Sequence, residues 1–154
     1  MEIRLIKENE ISQTCTMIAK TCRISLKYYY PKKAIEQVIQ SLDEEGLKKR
    51  ISFTHFYIVK EGDAIIGCGA IGPYWGSETE SSLFTIFVDP DFQGKGIGKK
   101  IMQTLENDEY FLRARRIEIP AGIVAIPFYK KLGYEFKNNE MIFEKGHFKM
   151  EKYR

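Results

Sequence analysis

The segment Val88-Asp89-Pro90-Asp91-Phe92-Gln93-Gly94-Lys95-Gly96-Ile97-Gly98 puts three glycines into five positions, directly after the apolar run Ser81 to Val88. Behind it Ile97, Ile101 and Leu105 recur every four residues, the spacing of one face of a helix. A strand that enters a helix through glycines leaves the first helical N–H groups unpaired, at the positive end of the helix dipole. With no Cβ atoms in the way, that backbone is a ready site for a phosphate or another anion.

Spacing separates the anion motifs that could apply. A mononucleotide loop needs G-x-x-x-x-G-K-[ST], and no such ending follows Gly94. A dinucleotide fingerprint needs G-x-G-x-x-G, whereas this segment reads G-x-G-x-G. Both are excluded.

The rest of the chain supplies strands and helices around this unit. Strand patterns cover Glu2 to Ile6, Phe53 to Lys60, Ala64 to Ile71, Ser81 to Val88, Ile117 to Ile119, Tyr134 to Lys137 and His147 to Tyr153. Glu61-Gly62-Asp63 makes the second and third of these a hairpin. Helical periodicity covers Ile11 to Ile24, a stretch opened by Pro31 and ending near Leu42, the run from Ile97 to about Leu112, and Ile123 to Leu132 before Gly133. The order is strand, two helices, three strands, helix, strand, helix, strands, an α/β (α+β) chain with an antiparallel middle.

Composition bounds the function classes. The 154 residues have the length of one domain, 1–154, and 44% hydrophobic content gives the material for a core. A net charge of +3 from 24 basic and 21 acidic side chains, interspersed, is too mild to imply nucleic acid. The start, MEIRLIKENE, reads as neither a secretory signal nor a transit peptide, and the longest uncharged run, Ala64 to Ser77, is broken by Gly and Pro. No membrane partner is expected. Cys15, Cys22 and Cys68 are odd in number, without C-x-x-C spacing, and His55 and His147 lack ligand spacing, so a cytoplasmic protein without a metal is expected.

Gln93-Gly94-Lys95-Gly96-Ile97-Gly98 fits Q/R-x-x-G-x-G/A, and Ala125-Ile126-Pro127-Phe128-Tyr129-Lys130-Lys131-Leu132-Gly133-Tyr134 fits A-x-x-F-Y-x-K-x-G-F/Y. On these two motifs and the element order, the chain resembles the GNAT superfamily of N-acetyltransferases. The motifs and strand order span about the last two-thirds of the chain; the first third matches in element order only. The resemblance implies a mixed, mostly antiparallel central sheet of six to seven strands with a splayed fourth strand, flanked by about four helices.

It also implies acetyl-CoA as co-substrate and transfer of its acetyl group to a primary amine of a small molecule or peptide, by direct attack through a tetrahedral intermediate. The pyrophosphate would lie on the N–H groups of Gly94 to Lys99, in a segment opened by Gln93, with Lys95 and Lys99 adding charge and Gly96, Ile97 and Gly98 forming the cradle. Ile86 and Phe87 would flank the pantetheine arm, and the Val88 N–H would face the acetyl oxygen. Phe128, Leu132 and Tyr134 read first as core residues, Phe128 also lining the cofactor. Many members carry Asn just before the Ala of the second motif, where this chain has Val124, so that contact to the pantetheine is missing or comes from backbone.

An acceptor amine with a pKa near 10.4 sits about 3.4 units above neutral pH, so its deprotonation costs about 4 to 5 kcal/mol unless a base or water chain takes the proton. No histidine pairs with an acid in the segments of the two motifs and the fourth strand, which leaves Glu80 and Glu78, before that strand, as base candidates. Tyr129 matches the family's tyrosine near the thioester sulfur and is the candidate general acid. Two other readings stay open: a catalytically silent acyl-CoA sensor, and an interaction module using Tyr28-Tyr29-Tyr30 and the basic tail Lys145 to Arg154. A homodimer is neither specified nor excluded.

Overall fold

The computed structural model describes residues 1–144 and 146–154, so the first residue of the basic tail, Lys145, lies outside the described residues. The strands are β1 Glu2–Leu5, β2 His55–Glu61, β3 Ala64–Pro73, β4 Glu80–Val88, β5 Arg116–Ala121, β6 Glu135–Phe136, β7 Phe143–Glu144 and β8 His147–Tyr153. The helices are α1 Ile11–Ser25, α2 Lys32–Ser41, α3 Glu44–Ser52, α4 Ile97–Glu106, α5 Glu109–Leu112 and α6 Ile126–Lys131.

All strands join one sheet in the order β1-β2-β3-β4-β5-β8-β6, with β7 also paired to β8. Every pairing is antiparallel except β4 with β5. That parallel pairing holds for only three residue pairs, Glu80–Arg116, Ser81–Ile117 and Ser82–Glu118, after which the strands part. The mixed sheet with a splayed fourth strand is the expected one. Among the described residues eight strands are found in place of six or seven, two of them only two residues long.

Alternation along the strands feeds two cores, one on each face. On one face Ile18, Cys22, Ile35 and Leu47 of α1 to α3 pack on Phe56, Ile58, Cys68 and Ala70. On the other, Ile97, Ile101, Leu105, Phe111 and Tyr129 of α4 to α6 pack on Ile66, Leu83, Ile117 and Ile119. The sheet edge at β1 is anchored by Arg4, whose guanidinium donates to both Glu10 carboxylate oxygens at 2.9 and 2.7 Å.

Two helices escaped the periodicity. α3 carries Gly46 in its first turn and buries only Leu47, and is started by Asp43, whose carboxylate accepts the Gly46 N–H at 2.9 Å. The expected run from Ile97 to Leu112 breaks after Glu106, because Asp108 caps α5 through the Tyr110 N–H at 2.9 Å. Asp108 also takes the Tyr57 hydroxyl at 2.6 Å and meets His55 Nδ1 at 2.8 Å, which gives His55 a structural role.

Candidate active site

The parting of β4 from β5 makes a V, and its two arms carry most of the residues singled out from the sequence. Ser81 to Leu83 of β4 are buried, but residues 84–88 are half-buried, because no strand covers that side of β4. Asp89 N–H donates to Ile66 O on β3 at 2.8 Å, so antiparallel alternation turns the polar groups of Val88 away from β3 and into the gap. The Val88 carbonyl on that side accepts from Gln93 Nε2 at 2.9 Å, leaving its N–H toward the V.

Midway along this arm the strand bulges. Cys68 pairs with Phe87 but Ala70 with Phe84, so Gly69 faces two residues, and Thr85 takes φ +55. A β-branched residue there is strained and has to be held. Arg50 of α3 holds its side chain, donating from Nη1 to Thr85 Oγ1 at 2.9 Å, while the Cys68 thiol donates to Thr85 O at 3.2 Å. Arg50 also lies over the Phe84 ring, 4.7 Å from its centroid, and burial lowers its pKa. Among the described residues it has no carboxylate within ion-pair reach.

At the open end of the same arm stands the glycine turn. Gly94 and Gly96 have φ +76 and +79, and a Cβ on either would meet open space, so the backbone is bare toward solvent. Gly96 starts α4, and its carbonyl accepts from Lys100 at 3.1 Å, while the N–H groups of residues 94–99 find no backbone acceptor among the described residues. Lys95 and Lys99 are exposed beside this concave row of donors, with Lys95 Nζ 5.3 Å from the Phe92 ring centroid. Phe128 of α6 packs under it, its Cζ 3.4 Å from where a Gly98 Cβ would stand.

The second motif places Tyr129 in the core beneath α4, only 5% exposed, against Phe128 and Tyr134 at ring distances of 5.4 and 6.2 Å. Burial raises the Tyr129 pKa well above the ordinary phenol value, and beside it the Tyr134 hydroxyl is fully buried with no hydrogen-bond partner among the described residues. Val124 is exposed on the other arm, next to Ile123, whose N–H donates to the Tyr30 hydroxyl at 3.3 Å. Gln93 Nε2 meanwhile reaches Ser25 Oγ at 3.3 Å. Residues 25–30 therefore bridge the mouth of the V from one arm to the other.

The two base candidates lie at the closed end. Glu80 accepts from Arg116 Nε at 2.7 Å, six residues and about 20 Å of extended strand from Ile86; Glu78 is exposed in the preceding turn. Arg116 also holds Glu118 at 2.9 Å and Glu151 at 3.4 Å, and Lys137 reaches Glu118 at 2.8 Å. This buried network escaped the sequence reading because Arg116 and Glu118 alternate with isoleucines, as solvent-facing strand residues would. Arg50 and Thr85 carried no sequence signal at all.

A strand splayed beside a bare helix N-terminus, with the Tyr129 ring packed beneath, leaves a gap between β4 and β5 lined by backbone donors. A family model for the acetyltransferase (GNAT) domain matches residues 52–136, more than half of the chain, and the chain belongs to that family. It is 32% identical over 148 residues to an uncharacterised N-acetyltransferase of Methanocaldococcus jannaschii, covering 88% of this chain and 61% of that protein, so it spans less than two-thirds of that relative. The N-acetyltransferase YafP of Escherichia coli, also uncharacterised, is 22% identical over 135 residues, 88% of this chain and 81% of that one. Among solved structures, the PaiA N-acetyltransferase of Thermoplasma acidophilum in complex with coenzyme A superposes with a TM-score of 0.84 at 18% identity, covering 99% and 98% of the two chains. At that identity it supports the fold.

Proposed function

We propose that residues 1–154 work as one acetyl-CoA-dependent N-acetyltransferase domain acting on a primary amine of a small molecule or peptide. The observation that carries this reading is the V itself, with unpaired N–H groups at its mouth and the buried Tyr129 phenol under its arm. The coenzyme A bound in the Thermoplasma acidophilum structure supports the same donor.

In this reading the pyrophosphate rests on the N–H groups of Gly94 to Lys99, in the field of Lys95 and Lys99. The pantetheine arm runs along Ile86 and Phe87 in place of the departed β5, and the Val88 N–H meets the thioester oxygen. The acceptor nitrogen attacks the carbonyl carbon, and negative charge builds on that oxygen, where a fixed donor acts most strongly. As the C–S bond breaks, Tyr129 gives its proton to the leaving sulfur. Raising the phenol pKa in a dry site keeps that proton in place until the thiolate forms. The proton from the amine leaves into a water chain, of which Glu80, held by Arg116 at the closed end, and Glu78, exposed in the turn before it, are at most the distant end. Phe128 supports the cradle from below, and Val124 offers no polar contact. No helix among the described residues is long and apolar enough to cross a membrane. The reading places the protein in the cytoplasm, consistent with three free cysteines, two of which, Cys15 and Cys22, are pushed up to about 11 by burial and stay thiols.

The test is thermal unfolding with coenzyme A, followed by thiol release from acetyl-CoA over a panel of amines. Ligand at a hundred times its Kd adds about 2.7 kcal/mol, which for a chain of this size raises Tm by roughly 5–10 °C. Stabilisation with amine-dependent thiol release is the expected result. Stabilisation without release leaves an acyl-CoA sensor, and no stabilisation overturns the donor assignment.

A further inference from the structure

We propose that the acetyl acceptor carries a carboxylate as well as its amine, as an amino acid or short peptide does, and that the Arg50 guanidinium anchors that carboxylate beside the Thr85 bulge. The inference rests on the acetyltransferase reading above and names the acceptor class for that site.

Arg50 stands on the α3 face of β4, on the residue where that strand re-aims its backbone. The one hydrogen bond of its guanidinium within the described residues leaves from Nη1, and the remaining donors of that planar fork are uncommitted. A guanidinium withdrawn from water without an anion is costly, and its fork matches a carboxylate in a bidentate way. The Phe84 and Phe53 rings, with centroids 4.7 and 5.9 Å from Cζ, fix its plane.

The charges on the same face of the sheet point the same way. Glu80, Glu118 and Glu151 are committed to Arg116 and Lys137, leaving none of the three to receive a polyamine. A cavity of about 540 Å³ beside Tyr30 is lined by Arg23, Lys27 and Lys32 against a single carboxylate, Glu36, which Arg23 already holds at 2.8 Å. A cationic field of this sign attracts an anionic acceptor and repels a polycation. The rim around Tyr30 carries exposed apolar side chains, with Ile123 and Phe143 brought to it by the Tyr30–Ile123 bond and the Tyr30–Phe143 ring contact at 5.9 Å, and Tyr28 and Tyr29 exposed just before it in the chain. An amine with an apolar body and one carboxylate fits all three.

The experiment compares phenylalanine, phenethylamine and spermidine at saturating acetyl-CoA, by thiol release, in the protein and in Arg50→Gln. Coenzyme A affinity serves as the control for folding. Phenylalanine is expected to exceed phenethylamine in kcat/KM by at least about tenfold, the scale of one charge-assisted hydrogen bond. Arg50→Gln should collapse that ratio toward one, mainly through KM for phenylalanine. Equal rates for phenylalanine and phenethylamine, spermidine faster than both, or an equal loss on both amines in Arg50→Gln overturns the proposal. The same probes titrated calorimetrically into the coenzyme A complex separate the two readings. Arg50-dependent phenylalanine binding without thiol release sustains the anchor and overturns transfer; release fastest with spermidine does the reverse.

Discussion

In the proposed reaction Tyr129, packed against Phe128 and Tyr134, is the residue that supplies the proton to the leaving sulfur. Tyr129→Phe keeps the ring and removes the proton. It should lower kcat at least about tenfold, the scale of a lost proton-transfer group, while the coenzyme A Kd changes little; an unchanged kcat in steady-state assays would remove Tyr129 from the mechanism. At this scale the sequence was legible wherever residue type and geometry coincide. Gly94 and Gly96 could be singled out because their positive φ angles suit glycine and their open surroundings suit a ligand. Thr85 could not, since nothing in the run Leu83-Phe84-Thr85-Ile86 marks one residue for the left-handed region. Arg50 stayed hidden for a related reason: it lies in a helix with two lysines before it, and only the fold decides which of the three cations turns inward.

Among elements, the approach of α4 to the sheet is set by β3. A Cβ on Gly69 would stand 2.6 Å from Ile101 Cγ2 and 3.2 Å from Leu105 Cδ1, so glycine lets the helix lie close enough to present its N-terminus at the mouth of the V. Gly69→Ala should cost about 1–3 kcal/mol, read as a lower urea midpoint with an unchanged slope. It should also weaken coenzyme A binding, because the cradle rides on α4. The sequence located α1, α2 and α4 through long apolar periodicities. It missed α3, which buries only Leu47, and joined α5 to α4, because Asp108 interrupts the helix by capping rather than by breaking the pattern. Both misses were elements held by side-chain caps more than by an apolar face.

Across the whole molecule, the two cores lie on opposite faces of one sheet, and an ion pair sits at its β1 edge. Hydrogen bonds from Arg4 and from the Lys7 N–H, together with the Arg4 charge, lower the Glu10 pKa from 4.5 to about 2 against the opposing effect of burial. A carboxylate with a depressed folded value contributes stability that is complete above about pH 4.5 and is lost as pH falls through about 2. Unfolding free energy measured by urea titration across that window should therefore fall toward acid, and Glu10→Gln should flatten the slope. The Thr85 bulge has a consequence at the same scale, one of parity. Leu83, Ile86 and Val88 belong to the α4 core while Phe84 and Phe87 belong to the α1 core, so the odd-even count of β4 resets at Thr85. A chain lacking Thr85 keeps each of these side chains in its own core and loses only the turned peptide. That deletion should fold and unfold cooperatively yet fail to turn over acetyl-CoA, placing shape and chemistry of β4 on different residues of one strand.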